Sequence, residues 1–420
     1  MSQRVDEAVM NVVVRITGTD RPIRWTMGVG LFCLSLVARV GYWMVSGTVT
    51  GPSSRNFVAF CTAVLADPGS LPAVIDSATV VGTTAYWLLY TGYWAPMCGV
   101  YTLTGGSLDL IVLCQIIASS LTPVLLFLTA DRRVDLTAAA VSGLAMAVLL
   151  DTFVWSTRIL TDSPFVFVLA LTLWQLARYH DDPTGQNRAL VWGCFLWLSI
   201  TRPNGIVLVL GWLGYDLLPI DERFNLFPYR SIAIVGAVVA LPVVAFVVVP
   251  GALTFVTESW QTGVVVANDP AFTYAFTPRG DSTGIGFIVA NVDHVAILAV
   301  LKVLVFFLPV VERFSFLHNA INVVTLLPVT LASFVGVYRA VRNRSTLARD
   351  WVTPYALLVV IIAGTHVDYS WGYRAPVTVL MVLLSGYAVS ESRIGVALSD
   401  HAADAWNRLM SGPAGRGKPN

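Results

Sequence analysis

The chain has 420 residues, of which 56% are hydrophobic and only 12% are charged; its mean hydropathy is +0.72 and its formal net charge is +1. Soluble domains carry about 25% charged residues, so this composition excludes a soluble enzyme and a disordered chain. Since the net charge is close to zero, no nucleic-acid partner is expected.

The cysteines give no sign of a metal or disulfide framework. There are five of them, none is spaced as CxxC, and all lie in or beside apolar stretches. The histidines show no metal-ligand spacing either. We therefore predict no disulfide framework, no zinc site and no cofactor. The five are Cys33, Cys61, Cys98, Cys114 and Cys194.

Residues 25–45 are the first apolar run long enough to cross a bilayer, which needs about 20 residues. Four arginines within residues 1–24 precede this run, so the positive-inside rule places residues 1–24 in the cytoplasm. Residues 110–130 are a second span, and Arg132 and Arg133 after it indicate that it runs inward.

Residues 46–109 would then form an outer loop. Within this loop, residues 86–103 are rich in tyrosine and tryptophan and contain Pro96, which predicts an interfacial or re-entrant helix. The same aromatic residues could line a path for a ligand or form an interfacial belt.

The remaining runs extend the pattern to an all-α polytopic membrane protein with about ten to twelve transmembrane helices. Residues 25–392 form its multispan domain, and residues 393–420 form a cytoplasmic tail that is disordered towards its end. The loop near residue 286 is predicted outside and the arginines near residue 339 inside, so an odd number of crossings must connect them. The sequence shows two apolar runs between these positions, so one run is re-entrant or an earlier span is misassigned. These further runs are 136–155, 164–176, 190–200 with 206–218 as two short helices or one broken helix, 231–249, 295–311, 321–337, 355–365 and 377–389.

Ionisable residues near a bilayer are costly and indicate function by default. On this topology, arginines and aspartates from several distant loops gather on the outer side, as a site at the outer leaflet would require. They are Arg39, Arg55, Asp67, Asp76, Asp151, Arg158, Asp162, Arg202, Asp269, Arg279, Asp281, Asp293, Asp368 and Arg374, with His294.

Simpler interpretations exist for several of these residues. Arg39 could extend to the lipid headgroups, as a snorkelling arginine does. Asp67 and Asp76 could be solvated loop charges. Arg158 and Asp162 lie four residues apart at a helix start and could form a local pair. The Pro-Asn-Gly sequence after Arg202 could be only a turn.

Four short motifs, in this order and topology, resemble the polytopic glycosyltransferases of superfamily C, especially the protein O-mannosyltransferase-like and aminoarabinose-transferase-like branch. The resemblance covers most of the chain. The motifs are a first helix with an outer arginine followed by Tyr93-Trp94-Ala95-Pro96, then Arg158-Ile-Leu-Thr-Asp162-Ser-Pro164, Thr201-Arg202-Pro203-Asn204-Gly205 and Asp368-Tyr-Ser-Trp-Gly-Tyr373-Arg374-Ala-Pro376.

The resemblance implies an enzyme of the cell membrane that takes a sugar from a polyprenyl-phosphate donor and transfers it to a glycan, lipid or protein acceptor on the outer face. It implies a carboxylate at the acceptor, with Asp162, Asp67 and Asp76 as candidates. It also implies arginines at the donor phosphate. The implied substrate-binding residues are Arg55, Arg158, Arg202, Tyr373, Arg374, Asp368 and Trp94.

One departure from the family pattern concerns the first outer loop. The family places an acid there, ahead of an aromatic residue, whereas this chain has Ser53 and Ser54 ahead of Phe57. A non-catalytic member of the same fold therefore stays an alternative, as does a multispan transporter or lipid flippase. The transporter alternative predicts inverted repeats and polar residues at mid-span. No repeat is visible, and Lys302 is almost the only polar residue at mid-span.

Overall fold

The structure is a computed structural model that describes residues 21–66, 90–217, 260–266, 274–280, 285–310, 314–365, 374–392 and 395–397. These residues are almost entirely helical and contain no β-strand beyond one isolated bridge between Val49 and Arg158. The predicted all-α class is confirmed.

In chain order the helices are α1 (Arg21–Ser46), α2 (Pro52–Ala66), α3 (Thr91–Leu103), α4 (Leu108–Arg133), α5 (Leu136–Val148), α6 (Leu150–Ser156), α7 (Asp162–Asp181), α8 (Gly185–Thr201), α9 (Pro203–Leu217), α10 (Ile285–Ala290), α11 (Val292–Phe306), α12 (Phe316–Arg342), a π-helical turn (Ala348–Val352), α13 (Thr353–Thr365) and α14 (Ala375–Ser390).

Three helical segments are long and apolar enough to cross a membrane by themselves: Ile23–Ser46, Leu108–Arg133 and Phe316–Arg342. Helices α5 and α6 pass the same test together, although they are bent by 55°. Two further apolar helical segments among the described residues, Pro203–Leu213 and Ala375–Ser390, are shorter than a straight crossing requires, and the predicted span 231–249 lies outside the described residues. The total of ten to twelve spans stays a prediction.

Helix α14 is the centre of the bundle, because almost all of its side chains are buried. It packs against α5, α7 and α12. Two glycines allow this close approach. A Cβ atom on Gly386 would lie 2.5 Å from the carbonyl oxygen of Ala138, and one on Gly336 would lie 2.1 Å from that of Leu384. Small residues at helix crossings bring backbones into contact in this way.

The predicted span over residues 136–155 consists of two helices, because the chain bends at Leu149. The hydroxyl of Thr152 donates to the carbonyl of Leu149 at 2.7 Å, which offers that carbonyl a partner other than the helical one. Of the two alternatives for residues 190–218, the described part supports two short helices. Phe195 of α8 stacks on Trp212 of α9 at 5.5 Å between ring centroids, so the two helices lie side by side, and Arg202 alone is extended between them.

The first loop contains two helices, α2 and α3, joined by a disulfide between Cys61 and Cys98. The prediction of no disulfide framework is therefore wrong for this pair. The two cysteines are 37 residues apart, so their spacing gave no signal; folding brings them together. Aromatic rings pack around the bridge: Phe57 contacts Tyr93 at 5.0 Å and Phe60 contacts Trp94 at 4.7 Å between centroids.

Candidate functional site

The short helix α6 and the turn after it hold the candidate site. Helix α6 contacts α1, α4, α7 and α12, so it lies at the junction of several helices. The turn is fixed from two sides. The amide of Val49 donates to the carbonyl of Thr157 at 3.1 Å, and the Gln115 side-chain amide donates to the carbonyl of Arg158 at 2.8 Å. This connection presents Asp162 at the first turn of α7.

Asp162 forms a buried ion pair with Arg202. Asp162 is 5% exposed and Arg202 is 8% exposed. The arginine is in extended conformation because it occupies the single-residue break between α8 and α9, where Pro203 starts the next helix. Gly205 allows the two halves to stay close, since a Cβ atom there would lie 2.1 Å from the carbonyl of Leu198. The single extended residue between the two packed helices thus places Arg202 against Asp162.

A second buried ion pair joins Asp151 of α6 to Arg374, the residue that caps the start of α14. Arg374 is 2% exposed and also donates to the carbonyl of Leu308 at 3.1 Å. The Nε2 atom of His318 lies 3.6 Å from a carboxylate oxygen of Asp151, within ion-pair range but too far for a hydrogen bond. Asp151 thus receives contacts from both α12 and α14.

Arg39 of α1 is fully buried, at 0% exposure, and is held by hydroxyl groups. It donates to Ser119 at 2.8 Å, to Thr152 at 2.9 Å and to Ser35, and it stacks over the ring of Phe153 at 5.0 Å. Among the described residues no carboxylate lies within ion-pair distance of it. The interpretation of Arg39 as a snorkelling residue is therefore wrong, because its guanidinium is enclosed by the bundle.

Among the residues that the structure describes, positive charge exceeds negative charge around α6 and its turn. Arg158 adds to the excess. It stacks over the ring of Trp155 at 5.2 Å, and its Nε atom is buried without a hydrogen bond to any residue that the structure describes. The predicted alternative of a local Arg158–Asp162 pair is wrong, since Asp162 pairs with Arg202 instead. The described charges here are Arg39, Arg158, Arg202 and Arg374 against Asp151 and Asp162.

An apolar groove of about 170 Å³ adjoins this cluster and lies between α3, α4, α7 and α8. Met97, Phe167 and Trp197 form part of its wall, and Tyr93 and Gln115 are its polar members. The Tyr93 hydroxyl donates to the Gln115 side chain at 3.3 Å, and Pro164, two residues after Asp162, also lines the groove. The groove therefore connects apolar walls to the charged cluster.

The other residues predicted from the sequence are placed differently. Trp94 packs on Phe60 and does not line the groove, whereas its neighbour Tyr93 does. Arg55 is exposed on α2, and no contact within the described residues links its side chain to α6 or α7. Four predicted site residues lie outside the described residues: Asp67, Asp76, Asp368 and Tyr373.

Three contributors to the cluster were not among the predicted site residues. Arg39 and Asp151 were recognised only as ionisable residues on the outer side, and Gln115 was not considered. All three are polar side chains inside strongly apolar runs, which is a signal that the sequence does carry. The sequence does not identify the ion-pair partner of Asp151, since Arg374 is 223 positions away.

The search of curated proteins found no match to this chain. Residues 93–249 match a family model described as dolichyl-phosphate-mannose-protein mannosyltransferase. The matched segment is a little over a third of the chain, and it contains the groove residues of α3, the α6 turn, Asp162 and Arg202. The match supports a membrane glycosyltransferase, and the chain is similar to the polytopic glycosyltransferases of superfamily C.

Proposed function

We propose that this protein is an enzyme that transfers a sugar from a polyprenyl-phosphate donor to an acceptor hydroxyl at the outer face of the cell membrane. The observation that carries the proposal is the excess of buried arginines around α6 and its turn. Buried charges are normally paired, so cations beyond the number of carboxylates favour an anionic ligand. Arginine is suited to phosphate because its planar fork donates two parallel hydrogen bonds.

The groove beside the cluster supports a lipid-linked donor. Its walls are formed mostly by apolar side chains, such as Met97 and Phe167, and one end lies near Asp162. An amphiphile with a long apolar chain and a phosphate could place the chain there and the phosphate among the arginines. We assign the phosphate to Arg158, Arg202 and Arg374, with Arg55, Asp368, Tyr373 and Trp94 as further candidates from the sequence.

The disulfide supports the outward orientation of the first loop. Disulfides persist in oxidising compartments and are rare in the cytosol. The Cys61–Cys98 bridge lies within the loop that the charge distribution places outside, so two independent signals agree. The cluster contacts this loop, because Val49 pairs with the α6 turn.

In the proposed reaction, the acceptor oxygen attacks the anomeric carbon and the bond from this carbon to the phosphate oxygen breaks. The acceptor proton passes to a carboxylate, and the phosphate leaves with its electron pair stabilised by the arginines. Asp162 is our first candidate for the carboxylate, because it is the acid presented at the turn. Asp67 and Asp76 are the alternatives. In this arrangement Arg202 orients Asp162 until the donor binds.

The second candidate function is a non-catalytic role for the protein, and it rests on Ser53 and Ser54. They stand where the resembled family has an acid, and an inactive protein of the same fold would lack that group. The transporter alternative is less favoured, because the excess charge is gathered around one turn and not along a path through the bundle.

The decisive experiment is a transfer assay from a radiolabelled polyprenyl-phosphate sugar, normalised to correctly folded protein. Asp162→Asn should lower the rate by about 10²- to 10⁴-fold, the usual cost of removing an acid–base group. The matched control is Asp181→Asn, which removes an exposed acid paired with Arg132 at 2.8 Å. Parallel Asp67→Asn and Asp76→Asn variants identify the acid if Asp162→Asn is active. An inactive parent would support the non-catalytic role.

A further inference from the structure

His318 lies beside the buried pair of Asp151 and Arg374, and the proposed reaction has not used it. Its Nε2 atom is buried, makes no hydrogen bond with any described residue, and lies 3.6 Å from the Oδ1 atom of Asp151. Arg374 contacts the other oxygen, Oδ2, of the same carboxylate. The imidazole and the guanidinium therefore lie on the two sides of one carboxylate.

The main chain and an aromatic ring hold His318 in this position. It is in the first turn of α12, where its backbone N–H donates to the hydroxyl of Ser315 at 3.2 Å. Its ring stacks on that of Phe314, with 4.1 Å between the centroids. Because Nε2 is turned towards Asp151, Nδ1 is the ring nitrogen left to face a ligand, and no residue that the structure describes hydrogen bonds to it. The side chain is 20% exposed, so a ligand can reach it.

Protonation of His318 changes the net charge of this group of three residues. With a neutral imidazole, the charges of Asp151 and Arg374 cancel. With an imidazolium, the group carries one net positive charge, and Asp151 stabilises the charged ring as an aspartate beside a histidine does. Histidine is the side chain whose charge ordinarily changes between pH 5 and pH 8, so this end of α12 is positive only in the acidic part of that range.

The elements that pack most closely on α12 are α5, α6, α14 and the π-helical turn. Helices α5 and α14 have no charged residue, and α6 has only Asp151. The π-helical turn, with Arg349 and Asp350, follows the other end of α12, about 35 Å from its first turn. Helix α12 itself has no further charge before Arg339. Among the described residues, the charge around His318 is therefore set by Asp151, Arg374 and the imidazole itself.

The proposed reaction creates negative charge on the phosphate. In the donor the phosphate is a diester with one negative charge. When the bond to the anomeric carbon breaks, the phosphate becomes a monoester, whose second ionisation lies near pH 6, so it gains up to one further charge. A cation that contacts the departing oxygen stabilises the transition state more than the bound donor, and this difference raises the rate.

We propose that protonated His318 binds the departing phosphate, with Nδ1–H donating to its oxygen and Nε2–H facing Asp151. This role rests on the proposed function, which assigns the same phosphate to Arg374. No covalent bond to the histidine forms, and the acceptor proton still passes to the carboxylate. Asp151 then has two roles, since it holds Arg374 in place and stabilises the imidazolium.

The test measures equilibrium binding of a radiolabelled polyprenyl phosphate, the leaving group itself, to the full-length protein in detergent at pH 6 and pH 8.5. The His318→Gln variant stays polar but cannot be protonated. It should weaken binding about tenfold at pH 6, the value of one hydrogen bond to a charged group, and have little effect at pH 8.5. The phosphate ionises in both proteins alike, so the ratio of their dissociation constants isolates the histidine.

Two further measurements separate this role from a structural one. His318→Lys, which stays charged at both pH values, should bind polyprenyl phosphate more tightly than the parent at pH 8.5. In the transfer assay at pH 6, His318→Gln should lower kcat about tenfold and leave the KM for the donor within about twofold, because the contact strengthens as the phosphate departs. Melting temperatures of the variants should stay close to that of the parent.

The matched control is His180→Gln. His180 is also half-buried and lies 3.5 Å from an aspartate, Asp350, but at the far end of α7 from Asp162. It should leave binding per folded molecule unchanged at both pH values. Equal binding by the parent and His318→Gln at pH 6, an equal loss at both pH values, or the same loss in His180→Gln would each overturn the proposal.

The binding measurement also separates this proposal from the proposed function. A parent that binds polyprenyl phosphate with the expected dependence on His318 but transfers no sugar contradicts the proposed function and supports the phosphate contact. A parent that transfers sugar while His318→Gln binds normally at pH 6 contradicts only the role of His318. A parent that binds no polyprenyl phosphate contradicts both.

Discussion

Arg374 and Arg132 each pair with an aspartate, but in opposite surroundings. The Arg374 side chain is 2% exposed, whereas those of Arg132 and Asp181 are 40% and 39% exposed. Along α4, Ser119 contacts the first region and Arg133 the second, which separates them by roughly 20 Å. Burying a charge costs several kcal/mol, so the enclosed arginines require compensating interactions that the exposed arginines do not.

The two regions also differ in what they connect. The region around Arg132 joins four segments that the sequence places in the cytoplasm: Arg24 contacts Asp131 at 3.4 Å, Arg132 contacts Asp181, and Arg133 contacts the buried Asp350. The enclosed region joins helices deep in the bundle through one short segment. Contacts of the first kind stabilise loops, while those of the second kind leave an excess of positive charge among the described residues, on which the proposed phosphate site rests.

Breaking the enclosed ion pair should have the largest effect on stability. The Arg374→Ala variant leaves Asp151 without its arginine and should lower the free energy of unfolding by about 3–5 kcal/mol. Thermal unfolding in detergent measures this. The double variant Arg374→Met/Asp151→Leu should recover most of the loss, because an apolar pair carries no uncompensated charge.

The double variant also separates structure from function. If Arg374 binds the donor phosphate, transfer stays low although folding recovers. Recovery of both folding and transfer would show that the pair is only structural.

Removing the charge of Arg39 should affect transfer more than stability. Arg39 has no carboxylate partner among the described residues, so Arg39→Met removes a buried charge without stranding another. We expect a melting temperature close to that of the parent and transfer reduced by about tenfold, the value of one hydrogen bond to a charged group. A large fall in melting temperature with normal transfer per folded molecule would make Arg39 a structural residue.

Asp350, which is buried but contacted by partly exposed cations, should show a smaller and pH-dependent effect. Burial raises the pKa of Asp350, but the hydrogen bond with His180 and the charges of Arg349 and Arg133 outweigh it, so this pKa lies below its ordinary value. The ionised carboxylate therefore stabilises the fold above about pH 4, and this contribution is lost as the pH falls through the lowered pKa.

Asp350→Asn should remove that pH dependence and lower the free energy of unfolding by about 1–2 kcal/mol at neutral pH. The loss is small because the cations that contact Asp350 are partly exposed, so water can solvate them in the variant. Unfolding curves of the two proteins between pH 3 and pH 7 make the comparison. If the free energy of unfolding changes with pH in the same way in both proteins, the ionisation of Asp350 makes no contribution to stability.

The sequence predicted the parts of the fold that depend on local composition. The spans near α1 and α4, the helix start at Asp162-Ser163-Pro164 and the break at Arg202 all follow from apolar runs and proline positions. The site was predicted in part: Asp162, Arg202 and Arg374 were named, and all three prove buried and paired.

The tertiary contact partners of these residues could not be predicted from the sequence. Arg39 and Thr152 are 113 positions apart, and Cys61 and Cys98 meet only because α2 and α3 pack together. At the bend, the Thr152 hydroxyl that donates to the carbonyl of Leu149 also accepts a hydrogen bond from Arg39. Such contacts are set by tertiary packing, which apolar periodicity does not specify.

The most direct test of the central claim is to locate the donor phosphate. Purified protein is photolysed with a polyprenyl phosphate that carries a diazirine near the phosphate, and the labelled peptides are identified by mass spectrometry. The account predicts labelling of residues 150–162, reduced in Arg158→Gln and unchanged in Arg342→Gln. Labelling confined to the Arg132 and Asp350 end of the bundle would contradict it.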